Sequence, residues 1–188
     1  MTDNPKSKSQ INSRIALTVF IVLAAVLLIV DRITKNIAIA QLAQGNSIDF
    51  IPGFMDFFLV YNRGGAFGMF EGAAALFAVF AAIVVVAMIV FLLVNKRHDP
   101  VVVVAMSLIA AGALGNAFDR LTAGEVPDFL HTLFIEFPVF NFADCCLTVG
   151  VTVLVILIVL SMFNKESLDL PQSTEPLENN STNDRDNQ

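Results

Sequence analysis

Two aspartates, Asp128 and Asp144, are the residues of this chain best suited to catalysis. Asp144 directly precedes one long uncharged run, and Asp128 lies in the segment between that run and the one before it. Two carboxyls that face each other at a partly apolar site cannot both ionise cheaply, so they share one proton. The ionised member of such a pair takes a proton from water, and the protonated member polarises the scissile carbonyl and later protonates the leaving nitrogen. The sequence therefore allows amide hydrolysis by these two residues.

A purely structural interpretation of the same two residues stays open. Asp144 stands where a helix is predicted to begin, and Asp128 follows Gly124 and Pro127, which indicate a loop. Short polar residues are strongly favoured at helix N-caps and in turns. On this interpretation Asp144 only caps a helix and Asp128 only occupies a turn.

Further polar residues collect at one end of the apolar segments. They are Asp31, Lys35, Asn116, Asp119, Arg120, Asn141 and Asp144. The spacing of Asn116, Asp119 and Arg120, at i, i+3 and i+4, places them on one helix face. Ionisable groups at membrane depth are costly because they leave water, so they are functional candidates by default. This convergence is the strongest functional signal that the residues alone provide.

The composition predicts a membrane protein. Of 188 residues, 56% are hydrophobic and 15% are charged, and the mean hydropathy is +0.72. An ordinary globular domain has about 25% charged residues. The formal net charge is −6, and the sequence has no basic patch of the kind that binds nucleic acid. The composition therefore excludes a nucleic-acid-binding protein.

Four segments are long and apolar enough to cross a bilayer, at about residues 15–36, 72–94, 100–119 and 143–163. A helix rises about 1.5 Å per residue, and the hydrocarbon core is about 30 Å thick. The uncharged run from Ile15 to Val30 is too short to span alone, so the first helix must include Asp31 and Lys35. Pro100 suits the first turn of the third helix. The predicted fold class is an all-α polytopic membrane protein with four transmembrane helices.

An even number of spans places both termini on one side of the membrane. Six basic residues flank the helices on that side and four on the other: Lys6, Lys8, Arg14, Lys96, Arg97 and Lys165 against Arg32, Lys35, Arg63 and Arg120. The positive-inside rule then predicts cytoplasmic termini and a polar cluster near the outer face. The charged stretch 31–35 argues against a cleavable signal peptide, so we expect the first helix to remain as an anchor.

The regions outside the spans have distinct compositions. Residues 41–71 are rich in Phe, with turn signals at Gly45 and Gly53 and an alternation at 57–61 that predicts short strands. We therefore expect a small extracytoplasmic sheet between helices 1 and 2. Residues 1–14 form a cytoplasmic head and 15–164 the membrane domain. Residues 165–188 are rich in Pro, Ser, Asn, Asp and Glu and predict a disordered acidic cytoplasmic tail.

Other catalytic chemistries fit the sequence less well. The chain has only two histidines, His98 and His131, and no HExxH motif, so we expect no metal site. Both histidines are expected to be solvated surface residues. Cys145 or Cys146 could act as a nucleophile with His131, but apolar helical surroundings favour buried, inert thiols instead.

Five motifs together resemble bacterial lipoprotein signal peptidase, also called signal peptidase II. They occupy residues 31–35, 62–68, 112–120, 124–129 and 140–144 and read DRITK, NRGGAFG, GALGNAFDR, GEVPDF and FNFAD. Each motif alone is weak, whereas five in the family's order are highly specific. The resemblance departs from the family pattern at Gly65 and at Pro127, where the family usually has Ala and a β-branched residue.

The resemblance implies a four-span aspartic endopeptidase of the cytoplasmic (inner) membrane with an extracytoplasmic β-cradle. Such an enzyme removes the signal peptide of a prolipoprotein by cutting before a diacylglyceryl-modified cysteine, without a cofactor. The catalytic dyad falls on Asp128 and Asp144. Supporting or substrate-binding roles fall on Asp31, Lys35, Asn62, Asn116, Arg120 and Asn141, and we include Gly65, Asp119 and Ala143 from the same motifs. The implied partners are prolipoproteins and membrane lipids, and we expect a monomer.

Two other classes of function remain as alternatives. A proton-coupled small membrane transporter would need ionisable residues near the middle of several spans, where this sequence has almost none. A non-catalytic lipid-binding protein would tolerate Asp to Asn substitutions at the dyad. The two alternatives are therefore distinguished from a protease by charge placement and by isosteric substitution.

Overall fold

Four apolar helices dominate the structure, a computed structural model that describes residues 10–43, 45–64 and 74–166. They are α1 (Ser13–Leu42), α2 (Ala74–Val94), α3 (Pro100–Ala123) and α4 (Phe142–Glu166). Each is long and apolar enough to cross a membrane, which confirms the four predicted spans. The first helix runs six residues beyond its predicted end at residue 36, to Leu42.

The helix ends follow local side-chain chemistry. Asn12 caps α1 because its side chain accepts a hydrogen bond from the backbone N–H of Ile15 at 3.0 Å. Asp99 caps α3 in the same way, and Pro100 occupies the first turn as predicted. At the other end of α3, Gly124 takes the left-handed conformation (φ 77°) and donates its N–H to the carbonyl of Arg120.

Helix α3 lies at the centre of the bundle and packs against α1, α2 and α4. Small residues let α3 and α4 approach closely. A Cβ atom built on Gly112 would lie 2.3 Å from the carbonyl oxygen of Ala143, and one on Gly150 would lie 2.7 Å from that of Ala105. Small residues at such positions permit backbone contact between membrane helices, where no hydrophobic effect drives association.

A two-residue ribbon closes one end of the bundle. Strand β1 (Ile11–Asn12) pairs in antiparallel fashion with β4 (Arg97–His98), which precedes α3. His98 is only 3% exposed, so the expectation of a solvated surface histidine is wrong. Its Nε2 lies 3.1 Å from the carbonyl of Leu92 and 3.0 Å from that of Asn95, at the end of α2. The last carbonyls of a helix lack intrahelical partners, and this ring supplies one.

A three-stranded antiparallel sheet covers the opposite end, with strands β2 (Ser47–Ile51), β3 (Met55–Asn62) and β5 (Val126–Thr132) in the order β2-β3-β5. The strands expected around residues 57–61 are confirmed. The third strand, however, follows α3, so the sheet is not built from the segment between helices 1 and 2 alone. Asp128, expected in a loop, pairs with Val60 within this sheet. Pro127 is tolerated because β5 is an edge strand, where a missing N–H costs little.

Several sequence-based expectations concern parts of the chain outside the described residues. These are most of the head (1–9), residue 44, the stretch 65–73 with Gly65, and the tail from 167 onward. The disordered tail and the role of Gly65 therefore stay predictions.

Candidate active site

Asp128 and Asp144 reach one cavity from different elements. Asp128 lies on β5 and Asp144 lies in the first turn of α4. The cavity has a volume of about 570 Å³ and is also lined by the predicted polar residues Asn62, Asn116, Arg120 and Asn141. Its remaining walls are mostly apolar: Val126, Phe137, Pro138, Val139, Phe140, Leu147 and Val149. The fold thus brings together most residues that the sequence singled out.

The start of α4 is a reciprocal cap between Asn141 and Asp144. The Asn141 Oδ1 accepts from the Asp144 backbone N–H at 3.1 Å, and Asp144 Oδ2 accepts from the Asn141 N–H at 3.0 Å. This arrangement satisfies two otherwise unpaired helix N–H groups. Capping therefore accounts for one carboxylate oxygen of Asp144. The other, Oδ1, accepts a 2.7 Å hydrogen bond from Asn116 Nδ2 and belongs to the wall of the cavity.

Asp128 is buried, at 3% exposure, so the interpretation of it as a turn residue is wrong. Its Oδ1 accepts from Asn141 Nδ2 at 2.6 Å, and its Oδ2 accepts from Asn62 Nδ2 at 3.1 Å. Burial raises the pKa of Asp128 from 3.8 to about 6. The two amide hydrogen bonds lower the pKa, while the negative charge of Asp144 raises it. A carboxyl in this environment can hold a proton under mildly acidic conditions.

Lys35 is buried completely and has three hydrogen-bond acceptors. Its Nζ donates to Asp31 Oδ2 at 2.9 Å, to Asp119 Oδ2 at 2.7 Å and to Asn116 Oδ1 at 3.0 Å. An ammonium group has three donors, so all of them are used. The lysine predicted at the outer end of α1 therefore joins α1 to α3, and it contacts the same Asn116 amide that donates to Asp144.

Asp31 joins α1 to the start of α4. Its second oxygen, Oδ1, accepts a hydrogen bond of 3.1 Å from the backbone N–H of Ala143. The contribution of Ala143 is therefore its backbone, with a side chain small enough to remain buried at the α3 contact. Asp31 also explains Gly115, where a Cβ atom would lie 2.7 Å from the Asp31 Oδ2.

Two features of this region were not identified from the sequence. Arg32 donates to Asp119 Oδ1 at 2.7 Å, and its guanidinium lies 4.7 Å from the ring centroid of Phe118. Its only sequence signal is its place between Asp31 and Lys35. The second feature is the backbone carbonyl of Gly64, which accepts hydrogen bonds from Arg120. Residue types cannot indicate a backbone acceptor, because every residue has a carbonyl.

Arg120 holds the end of the outer sheet against α3. Its Nη2 and Nε donate to the carbonyl of Gly64 at 2.6 and 3.2 Å, and its Nη1 donates to the carbonyl of Asn116 at 3.2 Å. The guanidinium also lies 4.8 Å from the ring centroid of Phe77 on α2. Gly64 follows Asn62 closely, so this clamp fixes the strand end that carries a hydrogen-bond donor to Asp128.

The arrangement does not favour a cysteine nucleophile paired with histidine. Cys146 is buried, whereas Cys145 is half-buried and lines the cavity. His131 does not line this cavity, and its Nδ1 lies 2.9 Å from Asp56 Oδ1 on the neighbouring strand. Two adjacent carboxyls of different environment, with an apolar cavity between the helices, instead match the requirements for activating a water molecule.

Comparison with known proteins places these residues in a family context. A family model described as signal peptidase (SPase) II matches residues 23–160. A lipoprotein signal peptidase of Ectopseudomonas mendocina is 36% identical over 162 residues, covering 82% of this chain and 94% of the relative. One from Staphylococcus haemolyticus is 34% identical over 152 residues, covering 80% and 96%.

Solved structures give the same result for the fold. A bacterial membrane enzyme superposes with a TM-score of 0.69 at 32% sequence identity, over 85% of this chain and 94% of the other. A second bacterial membrane enzyme superposes with a TM-score of 0.68 at 35% identity, over 75% and 92%. The four-helix bundle with its small sheets is therefore a fold already observed in bacterial membrane enzymes.

Proposed function

The chain belongs to the signal peptidase II family, and from this membership we propose that it processes prolipoproteins by an aspartic mechanism. It is a membrane endopeptidase that hydrolyses the bond before a diacylglyceryl-modified cysteine and releases the signal peptide. One observation carries the aspartic assignment. Asp128 and Asp144 are the only carboxylates among the described residues that line the 570 Å³ cavity.

The cavity suits a substrate that is largely apolar. Its walls include Val126, Phe140 and Leu147, and the helices around it are long enough to cross a bilayer. A signal helix and two acyl chains therefore enter from the membrane, and burial of their methylenes contributes about 0.8 kcal/mol per CH₂. Exclusion of bulk water by these groups strengthens the electrostatic interactions at the dyad.

In the first step the two aspartates have different protonation states. Asp144 acts as the base, because its carboxylate accepts hydrogen bonds from the backbone N–H of Asn141 and from the Asn116 amide. Asp128 carries the proton, because burial raises its pKa to about 6. Asp144 takes a proton from water as the oxygen attacks the scissile carbonyl carbon, and Asp128 gives its proton to the carbonyl oxygen.

In the second step the tetrahedral intermediate collapses. Asp144 gives the proton that it took from water to the leaving nitrogen, and the carbon–nitrogen bond breaks. This differs from the role expected from the sequence, because Asp128 has already given its proton to the carbonyl oxygen. Asp128 takes back a proton from the hydroxyl that becomes the new carboxyl group. The dyad returns to its starting state with one water consumed, so these two residues complete the cycle by proton transfer alone.

The test is processing of a diacylglyceryl-modified prolipoprotein peptide by purified protein in detergent. We expect cleavage immediately before the lipidated cysteine, and its loss in Asp128→Asn and in Asp144→Asn. Asp49→Asn is the matched control, because Asp49 lies exposed on β2, away from the cavity. A parallel sample with a metal chelator examines whether the reaction depends on a metal.

Each result of that assay has a definite meaning. Normal cleavage by either dyad variant would contradict the aspartic assignment while leaving the protease function in place. Absence of cleavage by folded wild-type protein would favour the alternatives, a small transporter or a non-catalytic lipid-binding protein. No structural observation among the described residues favours a transporter, because the ionisable residues of α1, α3 and α4 collect at one depth instead of lining a path through the bundle.

We also propose the orientation and the assembly of the enzyme. The protein is a multi-pass membrane protein, and we place both termini in the cytoplasm and the dyad near the outer face of the membrane. We propose that it acts as a monomer, since all the polar groups of the dyad wall come from one chain. Membrane lipids are its expected surroundings.

A further inference from the structure

A continuous series of hydrogen bonds leads from Lys35 to both aspartates without Lys35 contacting either. Lys35 donates to Asn116 Oδ1 at 3.0 Å, and Asn116 Nδ2 donates to Asp144 Oδ1 at 2.7 Å. Asn141 Nδ2 donates both to Asn116 Oδ1 at 3.1 Å and to Asp128 Oδ1 at 2.6 Å. The two side-chain amides therefore point their N–H groups toward the carboxylates.

An amide side chain has an oxygen face and an N–H face of nearly the same shape, so its direction must be set by its neighbours. Carboxylates do not set it uniquely, because a protonated carboxyl can donate as well as accept. Lysine can only donate. The Asn116 atom that faces Lys35 must therefore be oxygen, and the N–H groups of Asn116 are left to face Asp144.

The direction of the second amide follows from the first. The oxygen of Asn116 is already the acceptor for Lys35, so Asn141 must also present N–H to it. The same NH₂ group of Asn141 then donates to Asp128, and its oxygen accepts from the backbone N–H of Asp144. The buried cation and the backbone N–H of Asp144, which can only donate, thus require the same direction of the two amides.

We propose that Lys35 is a positioning residue that holds the oxygen of the Asn116 amide toward itself, so that Asp144 accepts an N–H hydrogen bond from Asn116. The inference rests on the proposed aspartic function. If the Asn116 amide turned over, its oxygen would lie 2.7 Å from Asp144 Oδ1, and that contact would need a proton between the two oxygens. The dyad could then take a proton from water only at higher pH.

The charges around Lys35 determine which variants can test its positioning role. Lys35 is faced by Asp31 from its own helix and by Asp119 from α3, and Asp119 also pairs with Arg32. Two cations and two carboxylates therefore balance. Removal of Lys35 alone leaves one buried carboxylate without a partner, which destabilises strongly. Lys35→Met combined with Asp31→Asn restores the balance and keeps an oxygen that can accept from the Ala143 N–H.

The measurement is the dependence of kcat/KM on pH with the lipidated peptide. For the double variant we expect at least a tenfold lower kcat, and an acidic limb displaced by about one pH unit or more to higher pH. A reduced amount of active enzyme would lower the whole profile without displacing it. Asp128 from β5 and Arg120 from α3 also face Asp144, and neither is changed. Lys96→Met, the same exchange at an exposed lysine, should leave the limb in place.

A second variant tests the direction of the amide with Lys35 present. Asn116→Asp keeps an acceptor for Lys35 and Asn141 but replaces the N–H that faces Asp144 by an oxygen. We expect a displacement of the acidic limb in the same direction as in the double variant. This variant is isosteric, so it decides the question if the double variant fails to accumulate in the membrane.

Two outcomes would overturn the inference. One is a folded double variant whose pH profile has the wild-type limbs, since Lys35 would then be only structural. The other is an Asn116→Asp enzyme with an unchanged profile. Inactive wild-type protein would instead contradict the proposed function itself, so the two failures can be told apart.

Discussion

Asp128 combines burial with hydrogen bonds to both oxygens, and this makes the stability of the protein depend on pH. Its pKa is about 6 in the folded protein against 3.8 for an exposed carboxyl. The folded state therefore holds the Asp128 proton to higher pH than the unfolded state does. The resulting stabilisation is complete below about pH 4, is lost as the pH rises to about 6, and amounts to at most about 3 kcal/mol.

Thermal unfolding in detergent between pH 4 and pH 7 measures this effect. We expect the midpoint of the wild-type protein to fall as the pH rises through this range, beyond the change seen in Asp128→Asn. The variant lacks the titrating group, and its NH₂ group faces an N–H donor of Asn62 or Asn141, so it is less stable than wild type but lacks the Asp128 contribution to the pH dependence. Equal slopes for both proteins would contradict the raised pKa.

The loss of the Asp128 proton should also appear in the pH dependence of activity. If Asp128 gives the proton to the carbonyl oxygen, kcat/KM should decline as the pH rises above about 6, because the free enzyme loses that proton. A pH series with the lipidated peptide measures the decline. A rate that keeps rising from pH 6 to pH 8 would assign the resting proton to Asp144 instead.

Arg120→Ala should reduce both stability and activity. The substitution removes two hydrogen bonds to the Gly64 carbonyl and a positive charge that interacts with both Asp128 and Asp144. We expect a loss of about 2–4 kcal/mol in unfolding free energy, since a charge partner is removed at a partly buried site. Cleavage should fall at least about tenfold, since a loss of 1.4 kcal/mol of transition-state stabilisation already has that effect.

Arg63→Ala is the matched control for that change. Arg63 pairs with Glu125 at 3.1 Å, but its side chain is 69% exposed. An exposed ion pair contributes little, because water and salt screen it, so the loss should stay below about 1 kcal/mol. Similar losses for the two arginines would show that Arg120 does not act as a clamp.

At the scale of residues, the sequence indicated which side chains belong to the site better than it indicated the groups that they contact. Charged residues inside apolar runs are conspicuous, so Asp31, Lys35 and Asp119 could be found without a structure. The carbonyl of Gly64 and the N–H of Ala143 could not be found, because every residue has a backbone. The role of Arg32 was missed because a charge near a helix end usually needs no special explanation.

At the scale of the elements, the contact between α3 and α4 determines where Asp144 lies. Gly112 faces the Ala143 carbonyl and Leu147, with no room for a Cβ atom. Gly112→Ala should therefore push the start of α4 away from α3 and lengthen the contact between Asn116 and Asp144. We expect a loss of about 1–3 kcal/mol from overpacking and a marked loss of cleavage.

Thermal unfolding and the peptide assay check this prediction together. Val151→Ile is the control, because it adds one carbon to a side chain of α4 that is half exposed on the lipid side. If Gly112→Ala has the stability and activity of wild type, then α3 and α4 can move apart without affecting cleavage. The close contact between them would then not be what positions the dyad.

The helices were predictable from the sequence, and the strands only in part. Long apolar runs define a span within a few residues, because the bilayer thickness fixes the length. Strand β5 was missed because Gly124 and Pro127 indicate a turn, and only pairing with β3 makes it a strand. The burial of His98 was missed for a related reason, since the carbonyls that it satisfies belong to the end of α2.

At the scale of the whole molecule, the polar residues of three helices lie at one depth. Asp31 follows the start of α1 by 18 residues and Asp119 follows the start of α3 by 19, which is about 27 and 29 Å along each helix. Asp144 stands at the start of α4, which runs in the opposite direction. One plane near a bilayer surface therefore contains the dyad and its supporting charges, as expected for an enzyme that cuts at the outer end of a signal helix.

The positions of the basic residues favour the proposed orientation more strongly than their number does. On the dyad side, Arg32 and Lys35 pair with Asp119, and Arg63 pairs with Glu125. Arg120 faces both dyad carboxylates. At the other end Arg14, Lys96 and Arg97 form no ion pair with a carboxylate of the described residues, so they are the charges that the positive-inside rule weighs.

We therefore predict that truncation fusions made after α1, α2 and α3 report alternating sides of the membrane. Alkaline phosphatase is active only outside the cytoplasm, and it should be active when fused after Gly45 or after Gly124. It should be inactive when fused after Lys96, where a fluorescent protein that folds in the cytoplasm should instead be bright. The reverse pattern would show the opposite orientation, with the dyad at the cytoplasmic face. There the enzyme could not cut an exported lipoprotein at the outer end of its signal helix.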